Sequence, residues 1–112
     1  MQFLTIAYGD PAAYDRTAPE IRNAAHDHDA WMAANGKIVA GGMAGAPVQV
    51  RNHNAAGIET SAGPYLRTEL PVAGYAILEA ASLEEAIELA AKSPCAITEG
   101  VIEVWPVVHA PA

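Results

Sequence analysis

The segment Val72-Ala73-Gly74-Tyr75-Ala76-Ile77-Leu78-Glu79, continued after two alanines by Ser82-Leu83-Glu84-Glu85-Ala86-Ile87, carries the plan of the chain. Its first half reads as a strand, rich in apolar and aromatic residues. Its second half opens a helix with a capping box. The Ser82 hydroxyl can accept from the Glu85 amide, and the Glu85 side chain can reach back. Leu83, Ala86, Ile87 and Ala90 then recur at helical spacing and mark a buried stripe. The helix ends before Pro94, and Val101–Val108 forms the last strand. The result is a strand–helix–strand unit.

Toward the N-terminus the same order recurs. Residues 2–8 form a strand stopped by the turn Gly9-Asp10-Pro11. Thr17-Ala18-Pro19-Glu20 reads as a second capping box, with Pro19 in the first turn, where its missing donor costs little. That helix runs to Asn35-Gly36, and Gly36 suits a left-handed stop. Lys37–Ala40 is the next strand, broken by Gly41-Gly42. Residues 44–70, rich in Gly, Pro and Asn, are an insertion. It contains a hairpin of 48–51 against 57–60, with its turn near Asn52-His53-Asn54. Residues 1–112 are expected to form one α+β domain: a ferredoxin-like split βαβ sheet with a hairpin insertion.

Composition narrows the function classes. With 112 residues, 52% hydrophobic and 17% charged, the chain can build a single core and is not of a disordered class. Thirteen acidic against six basic residues give a net charge of −7, which repels phosphate backbones, so no nucleic-acid partner is expected. One cysteine, Cys95, cannot close an intramolecular disulfide. The N-terminus lacks the basic start of a signal peptide, and no apolar run approaches the ~20 residues that span a bilayer. A cytoplasmic location without membrane attachment is the expectation.

Two helices can cover only one face of a four-stranded sheet, yet the first strand is apolar on both. Leu4, Ile6 and Tyr8 share one face, Phe3 and Ala7 the other. The last strand likewise sets Ile102 and Val104 against Val101 and Trp105. A second, identical sheet is the simplest cover, which predicts a homodimer.

The densest polar cluster is His26-Asp27-His28-Asp29 in the first long helix. The two histidines lie about 160° apart round the axis, so they cannot share a metal, and no metal site or cofactor is expected. Ile21, Ala24, Ala25, Trp31, Met32 and Asn35 form the predicted inward stripe, with His28 near its centre and His26 toward water. A buried imidazole has two readings. It is a core residue bonded to a backbone carbonyl, or a general acid/base facing a pocket. Cys95 reads as a small buried hydrophobe. Trp31 reads as core or as a ligand platform. Tyr65, Arg67 and Tyr75 could line a pocket, Arg67 suiting a carboxylate or simply facing solvent.

His28-Asp29-Ala30-Trp31, the following Asn35–Gly42 segment, Tyr8-Gly9-Asp10, Ser61-Ala62-Gly63-Pro64-Tyr65, Gly74–Ala86 and Val101–Val107 together resemble, in order and spacing, the YCII-related (DGPF) family. That resemblance spans almost the whole chain. It implies a dimeric α+β barrel and a cavity near the helical histidine, where histidine and aspartate act as an acid/base pair. His28 stands at the histidine position. At the signature aspartate stands Ala62, so the partner carboxylate must come from elsewhere, from Asp10 first, or from Glu59 or Glu69.

Two functions follow as expectations. In the first, a small organic acid, lactone or aromatic compound binds, and His28 with Asp10 isomerises it or eliminates a group from it without a cofactor. Tyr8, Trp31, Tyr65 and Arg67 would contact that compound. The alternative is a non-catalytic regulatory or binding module, such as a partner of a sigma-factor system; the loss of the signature aspartate favours it.

Overall fold

The computed structural model describes residues 1–109. Strands β1 (Gln2–Tyr8), β2 (Ile38–Met43), β5 (Val72–Glu79) and β6 (Val101–Pro106) form one antiparallel sheet in the order β2-β5-β1-β6. β3 (Val48–Arg51) and β4 (Glu59–Ala62) form a separate two-stranded hairpin. Helices α1 (Pro11–Arg16), α2 (Pro19–Ala34), α3 (Leu83–Ala91) and α4 (Pro94–Ile97) complete the chain. The central strand pair and its crossovers are those of the ferredoxin-like arrangement, so the fold class is α+β as expected.

The register shows how the sheet divides its residues. Phe3 pairs with Leu78, and Thr5 with Ala76 and Val104, on the face covered by helices. Leu4 pairs with Ile77 and Trp105, and Ile6 with Tyr75 and Glu103, on the opposite face. The core lies on the helix side, where fully buried Phe3 packs with Met32, Leu78, Ala86 and Leu89. Among the described residues no helix covers the opposite face, and Tyr75, Val101 and Trp105 remain about half exposed there.

Several local expectations need correction. The residues after Asp10 form the short helix α1, and the Asp10 carboxylate caps it by accepting from the Ala12 amide at 3.0 Å. Pro11, pre-set for a helix's first turn, starts a helix here instead of a turn. The Thr17–Glu20 box does not form, because the Thr17 hydroxyl donates back to the Ala13 carbonyl, leaving Ala18 as an N-cap without a side-chain bond. β2 runs through Gly41-Gly42 instead of ending there. A side chain at Gly41 would approach the Tyr75 carbonyl to 3.0 Å, so glycine permits the close pairing with β5. The hairpin's second strand is 59–62 rather than 57–60, because the turn is longer and takes Asn54 and Ala55 through positive φ. The last strand stops at Pro106, and Pro94 begins a further helical turn, α4.

Both helical stripes are narrower than expected. On α2 only Ala25 and Met32 are buried, while Ile21 and Trp31 are half exposed. On α3 the buried residues are Ala86, Leu89 and Ala90, with Leu83 and Ile87 largely outside. The Ser82 cap is as expected, its hydroxyl accepting from the Glu85 amide at 3.1 Å. Glu85 itself bonds the Lys37 ammonium at 3.1 Å, and that contact holds its carboxyl below the usual range.

Candidate functional site

A cavity of about 540 Å³ opens between α2, α4 and the helix-covered face of the sheet. Thr5, Ala7, Gly74 and Ala76 supply its floor from the central strands. His26, Asp29 and Met32 supply one wall from α2, and Ser93, Pro94 and Cys95 the other from α4 and its cap. Small residues on β1 and β5 leave room that Phe3 and Leu78 fill further along the same face.

The polar groups in this cavity are few. The Thr5 hydroxyl donates to the Ala76 carbonyl at 3.0 Å, and the Ser93 hydroxyl to the Ala90 carbonyl. Asp29 differs from both. Among the described residues its carboxylate joins no ion pair: those pairs link the Met1 amine with Glu79, Arg16 with Glu99, and Lys37 with Glu85. Burial pushes the Asp29 carboxyl up from the usual range, against the opposing pull of His28 and His26. Cys95 is half-buried, and its thiol is pushed up by burial and then by the Asp29 charge. His26 stands exposed at the rim, its Nε2 2.8 Å from the Tyr14 hydroxyl.

The structure places the expected site residues as follows. His28 does not line this cavity; its Nε2 lies 2.8 Å from the Leu89 carbonyl oxygen. A carbonyl oxygen can only accept, so Nε2 carries the proton. The ring stacks on Trp31, with centroids 6.0 Å apart, at the half-exposed flank of α2. Of the two readings of His28, the geometry matches the histidine bonded to a backbone carbonyl. Asp10 caps α1 and is not brought to His28. Tyr8 points to the other face of the sheet, where its hydroxyl donates to Glu103. That bond, burial and the Glu103 charge together push the phenol above its ordinary value. A second, shallower cavity of about 340 Å³ lies there, lined by Tyr8, Glu103, Val101 and the 66–70 loop.

Tyr65 and Arg67 are exposed, and the Arg51 guanidinium lies 5.8 Å from the Tyr65 ring centre. Ala62 sits exposed on β4 of the hairpin, and Glu59 is on the same strand. Among the described residues, no three His, Cys, Asp or Glu side chains converge as metal ligands do. No helix among them is long and apolar enough to cross a membrane.

Asp29, His26 and Cys95 are the chemistry-bearing residues that a reading centred on His28 overlooks. The signal lay in the spacing: Ala25, Asp29 and Met32 recur at i, i+4, i+7, with His26 three residues before Asp29. The inward line of α2 therefore passes through Asp29, and His28 flanks it.

Among curated proteins none matches the chain. A solved structure similar to it is that of 5-chloro-2-hydroxyhydroquinone dehydrochlorinase (TftG) from Burkholderia phenoliruptrix AC1100, in complex with 2,5-dihydroxybenzoquinone. The identity is 19%, with 95% of this chain and 94% of that chain covered, at a TM-score of 0.47. The model of the YCII-related domain matches residues 1–110, nearly the full length. The chain belongs to the YCII-related family.

Proposed function

We propose that this protein binds a small organic molecule in the cavity between α2 and the sheet, and that Asp29 exchanges a proton with it. One observation carries the reading. A half-buried carboxylate without a salt-bridge partner among the described residues stands on the wall of a 540 Å³ cavity, with burial holding it toward its neutral form. Ligand sites commonly have a volume of this order, apolar walls and a few polar groups. Burial makes the Asp29 carboxyl hold a proton more readily than a solvated one, and a carboxyl in a cavity wall is within reach of acid–base chemistry on a bound compound. A neutral Asp29 can give its proton to a carbonyl or leaving group, and the carboxylate formed can take one back. Isomerisation or elimination needs no more than that from the protein. His26 shares the α2 wall with Asp29 and, after His28, pulls its carboxyl down, while Cys95 on the facing wall has its thiol pushed up by the Asp29 charge as well as by burial.

The test is a thermal-shift and NMR screen of small aromatic compounds, lactones and carboxylic acids. Wild type is compared with Asp29→Asn and His28→Ala. Asp29→Asn is expected to abolish turnover and alter binding, while His28→Ala leaves both in place. Absence of any ligand, or turnover that survives Asp29→Asn, overturns the proposal. Binding without turnover in the wild type selects the regulatory alternative, which Ala62 at the signature position favours.

The open side of the sheet supports a second part of the proposal, a homodimer packed sheet to sheet. Tyr75, Val101 and Trp105 are 48%, 52% and 53% exposed on a face that soluble monomers rarely leave bare. Molecular thickness is 20 Å, which is one sheet and one helix layer, so a second sheet has room to stack ~10 Å away. Light scattering that returns 11.7 kDa at micromolar concentration removes the dimer.

A further inference from the structure

We infer that the β3–β4 hairpin is an arm by which one copy of this chain grips a second, with Val48 and Val50 seated on that second copy; this rests on the reading of the protein as a sheet-to-sheet homodimer. Two features carry it, an apolar face turned outward and the side of the sheet from which the arm springs.

By the standard of a lone domain the hairpin is inside out. β3 alternates Val48, Gln49, Val50 and Arg51, so the two valines share one face and the two polar residues the other. Pairing of Val48 with Ala62 and of Val50 with Thr60 extends the valine face across β4. Val48 and Val50 are 63% and 66% exposed, whereas Gln49 and Arg51 are half-buried. The chain itself covers the polar face. The Gln49 side-chain amide donates to the Gly63 carbonyl at 3.1 Å, Arg51 donates to Gln49, and the Arg51 guanidinium lies 5.8 Å from the Tyr65 ring centre. Among the described residues no other strand or helix makes more than a marginal contact with the hairpin, so its valine face is bare. A two-stranded ribbon left to itself is marginal in water. Shielded polar side chains and outward valines make it a surface built to meet a partner.

The second feature identifies that partner as another copy of the chain. The arm leaves edge strand β2 after Met43 and returns into β5 at Val72. Its return limb lies on the side of the sheet away from the helices, where Leu66, Thr68, Glu69 and Leu70 line the shallow cavity with Tyr8, Val101 and Glu103. On that same side Tyr75 and Trp105 are half exposed and a second sheet has room to stack. An arm rooted there stands beside whatever stacks on the sheet, and the two apolar surfaces adjoin. The dimensions agree: the radius of gyration is 16.2 Å, where a compact chain of this length has about 13 Å. The long axis reaches 53 Å against a thickness of 20 Å. Sheet face and arm together supply more of the roughly 800 Å² per partner that stable complexes bury than the sheet face does alone. Two-fold symmetry then has each copy give an arm and receive one.

The experiment joins sedimentation equilibrium over a dilution series to amide hydrogen exchange. Wild type is compared with the double variant Val48→Lys/Val50→Lys, whose substitutions fall on exposed positions and are expected to leave circular dichroism unchanged. The lysine pair is expected to raise the dimer Kd at least about tenfold. Exchange needs no variant, so it tests the arm even where the lysine pair misfolds. In the wild type, amides of β3 and β4 are expected to exchange at least about tenfold more slowly well above the dimer Kd than well below it. An unchanged Kd in the folded lysine pair, or exchange of those amides that ignores dilution, overturns the arm and leaves the dimer standing. A wild type that sediments at 11.7 kDa throughout overturns the dimer, and this inference falls with it.

Discussion

His28 donates from Nε2 to the carbonyl oxygen of Leu89 across 2.8 Å, joining residues 61 positions apart and tying α2 to α3. Leu89 lies in the last turn of α3, where helix carbonyls have no amide partner of their own. The imidazole N–H supplies that missing donor. Removing it strands a carbonyl at a helix–helix contact. His28→Ala is therefore expected to cost about 1–2 kcal/mol, seen as a fall in Tm of several degrees, while ligand binding at the Asp29 cavity persists. A variant that keeps its Tm but loses binding would return His28 to the site.

Asp29 makes stability depend on pH in a defined direction. Its native carboxyl titrates above the ordinary value, so in the interval between the two the folded state holds a proton that the unfolded state has released. Folding is penalised as pH rises through that interval, and the penalty is absent below it. Asp29→Asn should remove the penalty. The variant is expected to match wild-type stability at about pH 3 and to exceed it at neutral pH by no more than about 1 kcal/mol, since Asp29 is only half-buried. Thermal melts of both proteins across the acid range give the difference curve. The His28 and His26 charges that pull the Asp29 carboxyl down act on it in the wild type alone, so the difference curve includes their effect.

The proposed dimer predicts a surface variant with a specific effect. Trp105→Glu puts a charge on a half-exposed position of the open face, where a folded monomer tolerates it. Light scattering is expected to drop from twice 11.7 kDa to 11.7 kDa, with circular dichroism unchanged. A mass that stays doubled places the interface elsewhere.

Gly100 links α4 to β6, and its amide donates to the Cys95 carbonyl at 2.9 Å. A Cβ at this position would meet the backbone oxygens of Tyr8 and Cys95, the latter at 2.5 Å. Gly100→Ala must therefore push α4 away from β1, carrying Cys95 and the cavity wall with it. A loss of about 1–3 kcal/mol is expected, together with weakened ligand binding, measurable by denaturant melts and by the amide shift of Cys95.

The sheet was legible in the residues because strands and caps are local. Val72–Glu79 and the Ser82 cap follow from composition and a three-residue spacing, and they stand where that pattern puts them. Residues whose local signal offered two outcomes came out otherwise. Thr17 can cap a following helix or bond back into a preceding one, and the short α1 settles it the second way. Gly41-Gly42 can break a strand or allow a close pairing, and β5 takes the close pairing. The site was less legible, because which flank of α2 meets the cavity depends on where α3 and α4 dock. A stripe centred on His28 assumed that Ile21 and Trp31 were inside, whereas the helix is rolled so that Ala25, Asp29 and Met32 face in.

Ala7 and Tyr8 are neighbours in β1, yet the first lines the Asp29 cavity and the second bonds Glu103 on the opposite side of the sheet, beside the 66–70 loop. One strand thus serves as a partition only a single backbone thick. Side chains on its two sides never touch, so the proposed pairing surface can drift by substitution at alternate residues while the chamber behind it keeps its shape. A family built on this partition can change its assembly and its chemistry as separate traits, provided that no insertion or deletion within β1 exchanges the two sets of side chains.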